Sequence, residues 1–121
     1  MKFFYVMLGG SFGALFRYLA GIILKKQFTH SFLTGSLLIN IIGSFLLAFL
    51  LQANNMDNNI KIALTTGFMG AFTTYSTFSY EILNHYSQNS VYHALIYSFL
   101  MLTLSFLATL LGFYAGKSIF L

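Results

Sequence analysis

Hydroxyl side chains are concentrated in one apolar stretch of the chain. Residues 65–79 read Thr-Thr-Gly-Phe-Met-Gly-Ala-Phe-Thr-Thr-Tyr-Ser-Thr-Phe-Ser, and seven of these fifteen positions are Ser or Thr. Hydroxyl groups donate hydrogen bonds without carrying a charge, so they can replace the water around a small anion that must later leave. Arg17 and Asn40 lie in two earlier apolar stretches, where an unpaired cation or amide is costly. Together, these groups indicate an environment that accepts an anion.

The composition places these polar residues in a membrane protein. The chain has 121 residues, of which 58% are hydrophobic and 7% are charged, whereas a soluble domain carries about 25% charged residues. Six basic and two acidic side chains cannot cover the surface of a soluble domain of this size. The composition therefore excludes a soluble globular domain, a disordered chain and a nucleic-acid-binding protein with a basic face. An all-α integral membrane protein surrounded by membrane lipid is predicted instead.

Four apolar segments are long enough to cross a bilayer as helices. They are, approximately, residues 3–24, 32–51, 60–83 and 91–115. About 20 residues at about 1.5 Å per residue span the roughly 30 Å hydrocarbon core. The connectors are short and polar, so the whole chain is predicted to form a single transmembrane domain of four helices. The first segment contains Arg17 and has no small-residue cleavage site, so we expect a retained helix rather than a signal peptide.

The basic side chains are almost evenly divided between the two sides of this predicted bundle. Lys2, Lys61 and Lys117 lie on the side of the termini, and Lys25 and Lys26 lie opposite, a count of three against two. The difference in Lys and Arg across the membrane sets the orientation of a membrane protein, so this chain has almost no preferred orientation. Two interpretations follow: insertion in both orientations with antiparallel pairing, or simply a small number of charges.

Two glycines predict a break near the middle of the third helix. Gly67 and Gly70 lie within the third apolar segment, and each glycine in a helix interior costs up to about 1 kcal/mol relative to alanine. Non-helical backbone is tolerated at membrane depth only where it is buried in protein or lines a cavity. Carbonyl groups freed at such a break would bind a cation, whereas freed amides and the new helix N-terminus would face an anion.

Small residues also form helix-packing motifs in the first and last segments. These motifs are Gly9-x-x-x-Gly13 and Gly112-x-x-x-Gly116. Glycines spaced by four lie on one face of a helix and allow the backbones of two helices to approach closely. Close helix pairs are therefore predicted at both motifs.

Three longer motifs run through the first three segments. They are Gly9-Gly10-x-x-Gly13-Ala14-x-x-Arg17-Tyr18, Asn40-x-x-Gly43-Ser44-Phe45 and Gly67-Phe68-x-Gly70-x-x-Thr73-Thr74-Tyr75-Ser76-Thr77-Phe78-Ser79. In length, number of spans and order of motifs, the chain resembles the fluoride ion channel family, Fluc or CrcB. The third motif is the longest and the most specific of the three.

The resemblance implies an assembly and an activity. Members of that family are antiparallel, dual-topology homodimers of four-helix subunits with two pores, and they export fluoride across the cytoplasmic membrane down its electrochemical gradient. A structural Na⁺ lies at the dimer centre, held by backbone carbonyls at the break in helix 3. In this sequence the resemblance assigns those carbonyls to Gly70 and Thr73. It implies fluoride and a second copy of the chain as partners, and no enzymatic activity.

The resemblance also assigns the residues of the pore. In chain order they are Arg17, Asn40, Tyr75, Ser76, Thr77, Phe78 and Tyr97, and we add Ser105 as the nearest hydroxyl on the face of Tyr97. Arg17 would be a cation of the vestibule and Asn40 an amide of the pore. Tyr75 and Phe78 would be its two aromatic rings, and Ser76 and Thr77 two hydroxyls of a polar track. Tyr97 and Ser105 would line the pore from the fourth apolar segment. Glu81 lies near the end of the polar track.

Two departures from the family pattern leave one alternative open. Tyr75 stands where the family usually has Phe, and Met101 stands where it often has Ser, one turn after Tyr97. The chain is therefore either a homodimer subunit or one half of a heterodimeric fluoride channel formed with a paralogous subunit.

Three other classes of function are less compatible with the sequence than a fluoride channel. A small four-helix multidrug exchanger has the same size and sparse charge, but it needs an acidic residue within helix 1, where this chain has Arg17. A non-conducting assembly subunit would leave Arg17 and Asn40 without a role. An enzyme has little support, because no metal-ligand spacing is shared by the three histidines, His30, His85 and His93.

Overall fold

The computed structural model describes residues 1–27, 35–88 and 90–121, and these residues form helices without any β-strand among them. The helices are α1 (Lys2–Gln27), α2 (Gly35–Leu51), α3 (Asn58–Ile62), a π-helical segment (Ala63–Met69), α4 (Gly70–Phe72), α5 (Tyr75–Gln88) and α6 (Val91–Phe120). The predicted start of the second span at residue 32 lies outside the described residues, as do His30 and Ser31 of the preceding connector.

The two longest helices have the length and surface of membrane spans. Both α1 and α6 are long and apolar enough to cross a membrane, and α2 is a shorter apolar helix. Large apolar side chains are exposed along them, including Phe12 and Phe16 on α1 and Phe99 and Phe106 on α6. A surface of this kind is unfavourable in water but is the ordinary surface of a helix in hydrocarbon. The all-α membrane class expected from the composition is therefore confirmed.

Both glycine motifs lie where two helices touch through their backbones. A Cβ atom on Gly13 would collide with the carbonyl oxygen of Phe68, and one on Gly112 would collide with the carbonyl oxygen of Phe45. The other glycine of each motif has a similarly close backbone oxygen. The predicted close approaches are confirmed: α1 packs on the π-helical segment, and α6 packs on α2 in the most extensive helix pair.

The third apolar segment is not one continuous helix. It begins after Asp57, whose carboxylate accepts hydrogen bonds from two first-turn amides at 2.9 and 3.2 Å and thereby caps α3. Helix α4 ends at Phe72, Thr73 is extended with φ −77° and ψ 154°, and α5 begins at Tyr75. We call residues 73 and 74 the interruption.

The interruption does not lie at the glycines that predicted it. Gly67 is inside the π-helical segment and Gly70 begins α4. Gly67 instead allows a close contact with α1, because a Cβ atom there would lie 2.8 Å from the carbonyl oxygen of Val6. The interruption lies near the middle of the third segment, after Gly70, and packing against α1 accounts for Gly67.

The last two helices extend beyond their apolar segments. Helix α5 continues to Gln88, past the expected end at residue 83, and α6 continues to Phe120, past residue 115. The polar residues after 83 are compatible with a helix, and the next capping side chain is Ser90, which accepts a hydrogen bond from the His93 amide at 3.3 Å. Lys117 in the last turn of α6 suits the negative end of the helix dipole.

A small buried core joins α2, α5 and α6 beneath the interruption. Leu37 of α2, Phe78 of α5, and Tyr97 and Met101 of α6 form this core. Tyr97 has no exposed surface and Phe78 is only 5% exposed. The core fixes α5 relative to α2 and α6. It therefore also fixes the position of the first residues of α5, which begin at Tyr75.

Candidate functional site: a polar cavity at the helix interruption

A cavity of about 430 Å³ lies at the interruption, between α2, the start of α5 and α6. Its lining residues are Asn40, Ser44, Gly70, Thr73, Thr74, Tyr75, Phe78, Met101, Leu102 and Ser105. The lining brings together six of the ten predicted site residues: both proposed carbonyl residues, the amide, both aromatic rings and the Ser105 hydroxyl of α6. Arg17, Ser76, Thr77 and Tyr97 lie outside it.

Asn40 holds the interruption through the backbone of one residue. The side chain is only 8% exposed. Its Oδ1 accepts a hydrogen bond from the Thr74 amide at 2.9 Å, and its Nδ2 donates to the Thr74 carbonyl at 3.1 Å. The second N–H of Nδ2 donates to Met101 Sδ at 3.6 Å. Two bonds to the backbone of one residue replace part of what the missing helical turn would have supplied, and we call this pair of bonds the Asn40 clamp.

The Asn40 clamp and the Thr74 hydroxyl change the hydrogen bonding of the carbonyls at the interruption. In a continuous helix the amide of each residue donates to the carbonyl four positions earlier. Here the Thr74 amide donates to Asn40 and not to Gly70, and the Thr77 amide donates to Thr74 Oγ1 at 3.3 Å and not to Thr73. The Gly70 and Thr73 carbonyls thus lose their ordinary helical donors, which leaves oxygen lone pairs of the kind that hard cations take as ligands.

Side-chain metal ligands are not clustered in the described part of the chain. No group of three His, Asp or Glu side chains there is close enough to hold a metal ion. A cation at the interruption would accordingly depend on backbone carbonyls and hydroxyls. The residues present fit a weakly held alkali cation and do not fit a transition metal.

A cluster of hydroxyls lies at the N-terminus of α5. Thr74 Oγ1 caps the helix and lies 3.4 Å from Ser76 Oγ and 3.2 Å from Thr77 Oγ1. Ser76 and Thr77 are exposed. The two hydroxyls assigned to a polar track therefore lie beside the cavity on the outer surface of the subunit, at the positive end of the α5 dipole.

Two aromatic rings form one side of the cavity. The rings of Tyr75 and Phe78 meet edge to face, with centroids 5.7 Å apart and planes inclined at 68°. Tyr75 is 77% exposed, whereas Phe78 is buried against the Tyr97 ring at 6.1 Å. The edges of aromatic rings carry partial positive charge, so this side of the cavity tolerates an anion.

A half-buried carboxylate, Glu81, forms a hydrogen-bond network near the cavity that sequence reasoning missed. The hydroxyls of Ser36 and Tyr97 both donate to the Glu81 carboxylate, and they lie 3.2 Å from each other. A carboxylate within a span needs such donors. The available signal was that Glu81 is the only acidic residue within the four apolar segments; its two partners come from other helices.

The resemblance seen in the motifs agrees with comparison to known proteins. The sequence model of the CrcB-like protein family, Camphor Resistance (CrcB), matches residues 4–113.

The chain belongs to this family.

Individual CrcB relatives match over nearly the whole chain. A fluoride-specific ion channel FluC of Thermosipho melanesiensis is 38% identical over 126 aligned residues, which cover 100% of both chains. A fluoride-specific ion channel FluC 2 of Clostridium acetobutylicum is 37% identical over 119 residues, covering 98% of this chain and 97% of the relative. The FluC 2 of Carboxydothermus hydrogenoformans is 40% identical over 116 residues, covering 93% and 84%.

The CrcB match includes every residue described at the site. The matched residues 4–113 contain the entire cavity lining, the Asn40 clamp and the carboxylate network around Glu81. Arg17 also lies within the match, half-buried on α1 and away from the cavity of its own subunit.

Proposed function

We propose that this CrcB-family protein is a fluoride-selective ion channel of the cell membrane and not an enzyme. It would let fluoride leave the cytoplasm down its electrochemical gradient and so lower the toxicity of the ion. The observation that carries the proposal is the cavity at the interruption, in which an amide, a hydroxyl and aromatic edges converge. Full-length relatives named as fluoride-specific ion channels support the choice of ion.

The chemistry of the cavity suits fluoride better than a larger halide. Fluoride is small, strongly hydrated and a strong hydrogen-bond acceptor, so a pore has to replace its water with donors and still release it. Asn40 Nδ2 and Ser105 Oγ are uncharged donors in the lining, and Phe78 offers a weakly positive edge. Arg17 would raise the anion concentration at the entrance of the pathway. The exposed hydroxyls of Ser76 and Thr77 would continue the donor path along α5.

A structural Na⁺ is proposed at the interruption. The Gly70 and Thr73 carbonyls would hold it, because both lose their helical donors to the Asn40 clamp and the Thr74 cap. The ion would supply a fixed positive charge that stabilises the interrupted backbone. Gly70 is exposed in the single subunit, which leaves room for carbonyls of a second copy around the same ion.

The proposed assembly is an antiparallel dimer of chains inserted in opposite orientations, with the third span of each subunit interrupted within the membrane between α4 and α5. The even division of Lys residues supports dual topology. Placement of Ser76, Thr77 and Tyr75 on the outer surface of one subunit supports a pathway completed by a partner. We favour a homodimer; a paralogous partner is the alternative, and two relatives carry the name FluC 2.

Ion efflux from liposomes tests the function directly. Vesicles containing only this protein and loaded with fluoride should release the ion rapidly, and vesicles loaded with chloride should release almost none. Protein-free vesicles provide the background. Equal fluoride and chloride efflux, or fluoride efflux at the background rate, would contradict the proposal.

A further inference from the structure

One sulfur atom accepts hydrogen bonds from two donors of the cavity. Met101 Sδ lies 3.6 Å from Asn40 Nδ2 and 3.9 Å from Ser105 Oγ, and both groups are oriented as donors to it. Met101 is 3% exposed and lies at the boundary between the buried core and the cavity lining. The two donors proposed to meet fluoride are thus both directed at a thioether.

We infer that the Met101 thioether is a competing acceptor that sets how tightly the cavity holds fluoride. A thioether sulfur is a weak acceptor with long bonds, so a strong acceptor such as fluoride displaces it easily. The sulfur keeps both donors paired between ions, and it takes them back as an ion departs. Met101 in this sense determines the affinity of the cavity for fluoride. The inference rests on the proposed function, because it assigns a role within the same cavity.

The Asn40 clamp prevents the Asn40 side chain from rotating, so the direction of its remaining N–H does not depend on the residue at position 101. Two bonds to the Thr74 backbone fix the plane of the Asn40 amide. The remaining N–H consequently points toward position 101 whichever residue stands there. Changing the acceptor at position 101 alters the competition and leaves the direction of the donor unchanged.

Packing alone offers a different explanation of Met101. Methionine is a flexible side chain that fills gaps in cores, and Met101 belongs to one buried core cluster with Leu37, Phe78 and Tyr97. Leucine has nearly the same volume and no acceptor, and glutamine has a similar length and a strong carbonyl acceptor. The two substitutions therefore separate acceptor strength from volume.

The test measures the fluoride concentration that gives half-maximal efflux from liposomes. Met101→Leu should lower this concentration about two- to tenfold, the range expected for one hydrogen bond, and should lower the maximal rate because the ion leaves more slowly. Met101→Gln should raise the half-maximal concentration by a similar factor. Met69→Leu makes the same change at another buried methionine, which lies outside the cavity lining, and should leave it unchanged.

A second comparison, in a Ser105→Ala background, distinguishes the loss of the acceptor from a loss of packing. If Met101 Sδ competes for Ser105, then Met101→Leu should have a smaller effect in a Ser105→Ala background than in the wild type. Half-maximal concentrations within twofold of wild type for both position-101 variants would overturn the inference, as would equal effects of Met101→Leu in both backgrounds. Neither result touches the proposed function, which fails only if the wild-type protein does not conduct fluoride.

Discussion

The Asn40 side chain is important for two separable reasons. Its clamp stabilises the folded protein, and its amide carries no negative charge that would repel an anion in the cavity. Asn40→Leu conserves most of the volume but removes both bonds to the Thr74 backbone. A buried donor or acceptor left without a partner costs about 1–3 kcal/mol, which gives about 2–6 kcal/mol for the two groups. Thr74 is half-buried, so water recovers part of this loss, and we expect the lower end, about 2–3 kcal/mol. The apparent melting temperature in detergent should fall by about 5–15 °C.

Asn40→Asp separates the effect of charge on fluoride flux from the effect of the clamp on stability. The carboxylate still accepts from the Thr74 amide, but it cannot donate to the Thr74 carbonyl and it places a negative charge in the cavity. An anion about 4 Å away meets a repulsion of about 4 kcal/mol at an effective dielectric constant of about 20. This corresponds to a roughly thousandfold loss of fluoride flux.

Both measurements use the same purified proteins. Fluoride efflux from liposomes reports the charge effect, and thermal unfolding in detergent reports the loss of the clamp. Asn54→Asp is the matched control, since Asn54 is exposed in the connector after α2 and should tolerate the same substitution. Wild-type efflux in Asn40→Asp would refute the placement of Asn40 in the ion pathway, and an unchanged melting temperature in Asn40→Leu would refute the clamp.

Three further predictions concern packing, the aromatic wall and topology. Gly112→Ala should lower the melting temperature in detergent by several degrees because its Cβ meets the Phe45 carbonyl, whereas Gly21→Ala, with open space around it, should not. Phe78→Ile should abolish fluoride efflux from liposomes while the dimer remains intact on a sizing column; wild-type efflux would assign the ring to packing. A reporter at the C-terminus should be found on both sides of the membrane, and added lysines beside Lys2 or Lys26 should give oppositely oriented forms that are active only when co-expressed. A reporter on one side only, with each biased form active alone, would contradict dual topology.

The membrane class and the glycine contacts were predictable because each rests on local pattern. Apolar length is a property of consecutive residues, and glycines spaced by four lie on one face whatever the helix later meets. The contacts of Gly13 and Gly112 therefore followed from the sequence, although the partners of each glycine did not.

The position of the interruption and the carboxylate network depend on residues far apart in the chain. Thr74 is held out of a helix by Asn40, which comes from α2, 34 positions earlier. Glu81 finds its donors on α2 and α6. The glycines favoured a break near the middle of the third segment but did not give its residues, because local preference cannot include a side chain supplied by another helix. For the same reason Met101 was noticeable in the sequence only as an unusual residue, and its two donors became apparent in the structure.

The reversal potential of a planar bilayer containing only this protein tests the central claim most directly. With fluoride at a tenfold concentration difference and equal chloride on both sides, a fluoride-selective channel should give a reversal potential close to about 59 mV, the value for a monovalent ion. We expect that value, and we expect it to stay unchanged when the chloride gradient is changed. A reversal potential that follows the chloride gradient, or one near zero under the fluoride gradient, would contradict the claim that this chain forms a fluoride-selective pathway.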